Sequence, residues 1–120
     1  MEKSKNYKDL IVWQKAIDIA ELTYKTTTKF PKEEVYGMTS QMRRSAISIA
    51  SNIAEGKGRG TVPQFIHFLT ISKGSLCELE TQLLIALRLC YISKNDYDNF
   101  EQLLSEIGRL LNGLLKSQKQ

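Results

Sequence analysis

Few side chains in this sequence are of the kinds that make or break bonds, and their spacing limits what they can do. His67 is the sole histidine, and no CxxC, HxxxH or ExxH spacing gathers ligands for a metal, so no metal or cofactor is expected. The two cysteines, Cys77 and Cys90, fall in what reads as one helix. Thirteen residues of helix would hold them about 20 Å apart, beyond disulfide reach. Carboxylates are scattered and lack a histidine partner, so the chain reads as no enzyme. A metal-dependent hydrolase or nuclease would have to rest on Glu55 or Glu78. His67, between Phe65 and Phe68 near a helix start, reads as a structural or surface residue.

The residues that invite a functional reading lie between Gln41 and Gly60, in QMRRSAISIASNIAEGKGRG. Its only glycine-rich stretch, GKGRG, lacks the GxxxxGK[ST] order of a phosphate loop, and no strand precedes it. It reads either as a capping turn or as a loop that carries Lys57 and Arg59 to nucleic-acid phosphate. Placed on a helix at about 100° per residue, Met42, Ala46, Ile49 and Ile53 share one face. Gln41, Arg44, Ser45, Ser48, Asn52 and Glu55 share another. Short polar side chains are costly on a purely solvated helix face, so something is expected to pack against them. Arg44 belongs to that packing face, with Glu55 of a neighbouring protomer or Glu78 of the third helix as its partner. Arg43 points about 100° away, outward, toward a possible phosphate. Gly56 suits the helix C-cap, and the alternating glycines that follow are expected to end the helix there.

Four helices are needed to position these residues, and the apolar periodicity supplies them at about 8–29, 38–56, 62–91 and 94–116. In the first, Leu10, Trp13, Ile17, Ala20 and Tyr24 form the stripe, widened by Val12, Ala16 and Ile19. Phe30-Pro31 stops it. Thr39 or Ser40 offers the second helix an N-cap, with a start as early as Glu33 also open. Thr61 caps the third helix in a capping-box pattern with Gln64, and Pro63 is tolerated in the first turn. Gly74 interrupts that helix, and close approach of another backbone, that of the Ser- and Ala-rich second helix, would account for it. The third helix is the longest and is expected to project past its partners. Ser93 and its neighbours cap the fourth, which carries Tyr97, Phe100, Leu104, Ile107, Leu111 and Leu114. Short connections and no strand-like alternation predict an all-α, antiparallel up-down-up-down four-helix bundle in a single domain, 1–120.

Charge narrows the partners. The formal net charge is +4, and all of the excess lies in the first half: residues 1–60 hold 11 Lys or Arg against 7 Asp or Glu, and residues 61–120 hold 6 of each. This is either a solvated basic face or the footprint of an anionic partner such as RNA. The tyrosines are scattered, so stacking platforms are not evident and RNA binding is expected to be electrostatic rather than base-specific. No apolar run is long enough to span a membrane, since Arg88 interrupts the best one. The opening residues carry no signal-peptide pattern, and a cytoplasmic protein is expected.

The segments DLIVWQKA, FPKEEVYGMTSQMRRSAISIASNIAEGKGR and FLTISKGSLCELETQL resemble the small bundle proteins encoded in intervening sequences of bacterial 23S ribosomal RNA genes. The likeness runs from about Tyr7 to Leu115. It centres on Gln41, Arg43, Arg44, Ser48, Asn52, Glu55 and Gly56, then Gly74, Ser75 and Glu78. The chain is also similar to the accessory protein of diversity-generating retroelements, a basic pentameric bundle that associates with a reverse transcriptase and nucleic acid. The resemblance implies a cytoplasmic homopentamer and association with rRNA or the ribosome. The combined expectation is a non-enzymatic, homo-oligomeric bundle that binds structured RNA or a ribonucleoprotein through Arg43, Lys57 and Arg59, with Lys8, Lys15 and Lys25 as lesser candidates. Gln41, Arg44, Ser48, Asn52, Glu55, Ser75 and Glu78 would form its interhelix or protomer polar network. The alternative is a protein-interaction scaffold, or an accessory subunit of a nucleic-acid-processing protein, with no nucleic-acid contact of its own.

Overall fold

A computed structural model describes residues 6–119, and these form four helices and two short 3-10 turns with no strand. Helix α1 spans Ile11–Thr27, α2 Met38–Arg59, α3 Val62–Arg88 and α4 Lys94–Gln118. The 3-10 turns are Tyr7–Asp9 and Lys32–Glu34. Part of the expectation about a leader falls on residues 1–5, outside the described residues. Among the described residues, no helix is long and apolar enough to cross a membrane.

Each helix packs on its sequence neighbours, and α1 also packs on α4, which closes the bundle. The contacts run antiparallel. Gly56 of α2 abuts Phe65 and Phe68 of α3, whereas Ser48 meets Ser75 at 2.8 Å further along. Lys15 of α1 reaches Glu106 of α4 at 3.1 Å, and Tyr97 of α4 feels the charge of Glu80 on α3. The core gathers Ile19, Met42, Ile49, Ile53, Leu69, Leu79, Leu83, Phe100, Leu104, Ile107 and Leu111, all fully buried.

Helix ends follow local chemistry. Thr61 Oγ1 accepts the Gln64 N–H and Ser93 Oγ accepts the Asp96 N–H, which satisfies one free donor at each helix start. Neither Thr39 nor Ser40 caps α2. Its first N–H, on Met38, is taken by the Glu34 carboxylate at 3.0 Å. At the end of α3, Tyr91 N–H bonds Ala86 O and Cys90 N–H bonds Leu87 O. That is the Schellman pattern, with Cys90 in the left-handed region at φ 62°. Cys90 therefore lies beyond α3 rather than inside it, and both cysteines are free and exposed.

Other sequence expectations change as well. First, α2 does not stop at Gly56 but runs on through Lys57, Gly58 and Arg59, and Gly60, at φ 84°, makes the left-handed stop. Second, Gly74 is exposed, and a Cβ added there would meet nothing within 4 Å. The close approach is at Gly56, where an added Cβ would lie 2.7 Å from Phe68 Cβ. Third, the α1 stripe that faces the core is Val12, Ala16, Ile19, Thr23 and Thr27. Ile17 and Tyr24 are each 42% exposed, and Leu10, Trp13 and Ala20 lie at the flank. The two buried threonines fit because their hydroxyls donate 2.7 Å bonds to the carbonyls of Ile19 and Thr23, one turn back. The third helix, at 27 residues, is nearly matched by the 25 of α4, and it is α1, at 17, that is short.

Candidate nucleic-acid interface

Helix α2 carries Gln41, Arg43, Arg44, Ser48, Asn52, Glu55, Lys57 and Arg59, with Ser75 and Glu78 on α3, and it sorts them differently. Its α3-facing side is closed by short groups. Ser72 Oγ donates to Ile49 O at 2.8 Å. Ser48 and Ser75 share a 2.8 Å bond, and Asn52 Nδ2 donates to Ser48 O at 2.8 Å and to Ser48 Oγ at 2.9 Å. Thus Ser48, Asn52 and Ser75 form one small network between α2 and α3. The other expected members do not join it. Arg44 donates to Gln41 Oε1 at 2.6 Å, and Glu55 pairs with Arg59 at 2.6 Å, each within α2. Glu78 is exposed on α3 and pairs with neither Arg44 nor any other cation among the described residues. Ser45, placed by the sequence on the polar face, is buried instead, and its hydroxyl makes no bond among the described residues.

The basic residues are likewise held. Lys57 and Arg59 lie on the last turn of α2 rather than on a loop. Lys57 sits over the Phe65 ring at 5.5 Å and Arg59 over Phe68 at 5.0 Å. Arg59 is thereby neutralised by Glu55 and stacked at the same time, which leaves it little free charge. Arg43 does not point away from the bundle. Its Nε donates to Thr27 Oγ1 at 2.9 Å and its Nη2 to Tyr24 O at 3.4 Å, with the guanidinium 4.5 Å from the Tyr24 ring centroid. Tyr24 O lies in the last turn of α1, so Arg43 also places a cation where the helix dipole favours one. Of the lesser candidates, Lys15 and Lys25 on α1 pair with Glu106 and Glu21, while Lys8, on the Tyr7–Asp9 turn before α1, is exposed.

Beside Arg43 and Arg44 lies an open groove of about 670 Å³. Tyr24 and Tyr36, Val35 and Ile47, and the hydroxyl residues Thr39, Ser40, Ser48 and Ser51 complete its lining. Among the described residues, no carboxylate lines it. Glu34, next to Val35 in the chain, is occupied elsewhere, since it accepts the Met38 N–H and the Tyr91 hydroxyl, the latter at 2.8 Å. The Met38 N–H, followed by the Tyr91 hydroxyl, holds the Glu34 carboxyl below its usual range, so it stays ionised and engaged. Sequence reasoning missed this site because Tyr24 and Tyr36 lie on different elements and only the fold brings them to one place. Among the described residues, no group of His, Cys, Asp and Glu could hold a metal ion, and His67 stacks edge-on to Phe68 at 5.0 Å.

Fold and site together define an all-α four-helix bundle whose second helix is sealed on one side and basic on the other. The chain belongs to the 23S rRNA-intervening sequence protein family, whose profile matches residues 8–113. It is also similar to a crystal structure of a protein with unknown function from the S23 ribosomal protein family of Bacteroides thetaiotaomicron VPI-5482. The two share 28% sequence identity with a TM-score of 0.79, over 88% of this chain and 99% of that one. No curated protein matches the chain significantly.

Proposed function

We propose that this protein is a non-enzymatic, cytoplasmic, homo-oligomeric bundle that binds structured RNA or a ribonucleoprotein, with rRNA the first candidate. The observation that carries this reading is the groove beside Arg43 and Arg44, whose lining has two guanidiniums and, among the described residues, no carboxylate. Membership in a family described by 23S rRNA supports the choice of RNA as the anion. Arg43 and Lys57 remain candidates for phosphate contact. Arg59 contributes less because Glu55 already neutralises it, and Arg44 gains weight because its partner among the described residues is a neutral amide. Ile17 and Ile47, 42% and 43% exposed on adjoining helices, give self-association an apolar flank to cover. A homopentamer is the assembly that the family resemblance favours.

Filter binding of a 23S rRNA fragment at increasing salt tests the RNA reading. Affinity is expected to fall with a log–log slope of about −0.9 per phosphate neutralised in duplex regions. No salt-sensitive affinity for rRNA fragments or generic nucleic acid would remove it. The same apolar flank favours a second reading, a scaffold that binds protein alone. One stoichiometric protein partner retained after nuclease treatment, with no RNA affinity, would decide for that reading.

A further inference from the structure

Tyr36 is 95% exposed, on the three-residue connector between the Lys32–Glu34 turn and α2. A tyrosine buries a large apolar area when it packs, yet this ring is spent on solvent at the rim of the basic groove. Across the same groove lies Tyr24, 42% exposed and stacked with the Arg43 guanidinium at 4.5 Å. Arg43 is fixed by two bonds to α1 and Arg44 by its bond to Gln41. A guanidinium has five N–H donors, so each retains donors for a ligand after these contacts are made. Their positions are set before any ligand arrives, which lowers the ordering cost of binding. Ser40 and Ser51 add hydroxyls to the lining.

Aromatic rings, fixed guanidiniums and hydroxyls, in a groove with no carboxylate among its described lining residues, fit a ligand that carries a flat ring next to an anion. A groove of about 670 Å³ falls within the range of roughly 300–1,000 Å³ typical of small-ligand clefts. Within a duplex, bases are stacked on each other and cannot lie against a protein ring, whereas unpaired bases can. We infer that the groove between Tyr24 and Tyr36 is a binding site for unpaired nucleotides, with a base against Tyr36 and its phosphate on Arg43 and Arg44. This rests on the RNA reading and deepens it. The protein would recognise loops or single-stranded segments of an RNA rather than its paired stems, with little dependence on base identity, since every base offers a stacking face.

The test uses the full chain with a labelled single-stranded oligonucleotide of about 10 nucleotides and the duplex it forms with its complement. Wild type is expected to prefer the single strand. Tyr36→Ala is expected to weaken single-strand binding about tenfold and to leave duplex binding unchanged, while Tyr36→Phe retains it. Arg44→Ala is expected to weaken single-strand binding and to reduce its salt slope by about one phosphate. Tyr36 is too exposed for its removal to threaten the fold, and circular dichroism melts check that. If wild type binds RNA with salt-sensitive affinity but Tyr36→Ala is unaffected, this site is wrong and the RNA reading stands. If wild type binds neither probe nor rRNA, both fall. A change in oligomer mass on Tyr36→Ala without loss of single-strand binding would assign the groove to a second copy of the chain and overturn the inference.

Discussion

The two long sides of α2 differ in how completely the chain finishes them. Toward α3, Gly56 lets the Phe65 and Phe68 side chains close in, and serines bridge the remaining gap at 2.8 Å. Toward α1, the boundary opens into a groove beside which Tyr24, Tyr36, Val35 and Ile47 remain exposed, and Arg43 reaches across in place of a packed apolar contact. One helix thus carries a surface closed by shape within the chain and another that the chain leaves open. Polar residues did not distinguish them in advance. Ser48, Asn52 and Ser75 bond one another on the α3 side, whereas Arg43 and Arg44 border the open groove together with Ser40 and Ser51.

Gly56→Ala strikes the sealed side and carries the largest expected effect. The new Cβ would meet Phe68 Cβ at 2.7 Å and Phe65 Cδ1 at 3.2 Å, and a loss of about 1–3 kcal/mol in urea unfolding is expected. Gly74→Ala, with open space around it, is expected instead to stabilise by up to about 1 kcal/mol through helix propensity. Equal effects at the two glycines would erase the contrast.

On the open side, Arg43→Met removes the bonds to Thr27 and Tyr24 and is expected to cost about 1 kcal/mol by the same measurement. A loss exceeding that of Gly56→Ala would mean that the α1–α2 edge is as tightly specified as the α2–α3 contact. A control lies away from both sides. Cys90→Gly relieves a left-handed residue at φ 62° and is expected to stabilise by about 0.5–1 kcal/mol, the strain relieved exceeding the entropy glycine adds to the unfolded chain. No gain in the urea midpoint would mean that this turn is not strained.

The smallest effect concerns pH at the α3–α4 boundary. Burial, then the nearby Glu101 charge, raises the Glu80 pKa. The folded chain therefore binds more protons than the unfolded one between the two pKa values, and Glu80's contribution to stability falls as pH rises through that window. Glu80→Gln is expected to raise the melting temperature slightly at pH 7, a gain that disappears as pH drops through the raised pKa. Glu34 runs the other way. Its pKa is lowered by the Met38 N–H and the Tyr91 hydroxyl, so its contribution is present above the unfolded pKa and is lost as pH falls through the folded one. Melting curves of Glu34→Gln and wild type should therefore converge in acid, and a difference that persists there would contradict the assignment.

Much of the bundle was legible in the sequence because helices are encoded locally. Thr61 and Ser93 cap where their side chains reach the third N–H on, Phe30-Pro31 halts α1, and the 3.6-residue period marks Phe100, Leu104, Ile107 and Leu111 as the buried face of α4. The candidate site was legible only in part. Arg43 and Arg44 stand out as types, but the direction of Arg43 depends on where the end of α1 lies. Tyr24 and Tyr36 carry no sign of each other across the intervening connector.

By itself, the sequence determined four amphipathic helices, their approximate limits, their short connections and the basic bias of the first half, since each depends on neighbours within a turn or two. Tertiary structure decided which of two adjacent apolar stripes on α1 faces inward, because α1 packs on both α2 and α4 and only the Val12, Ala16 and Ile19 stripe is buried there. It decided that Gly56 continues α2 and Gly60 ends it, because Phe65 and Phe68 require a missing Cβ at one position and the tight turn requires positive φ at the other. It also brought two distant tyrosines to one basic groove, a proximity that exists only once α1 and α2 are packed.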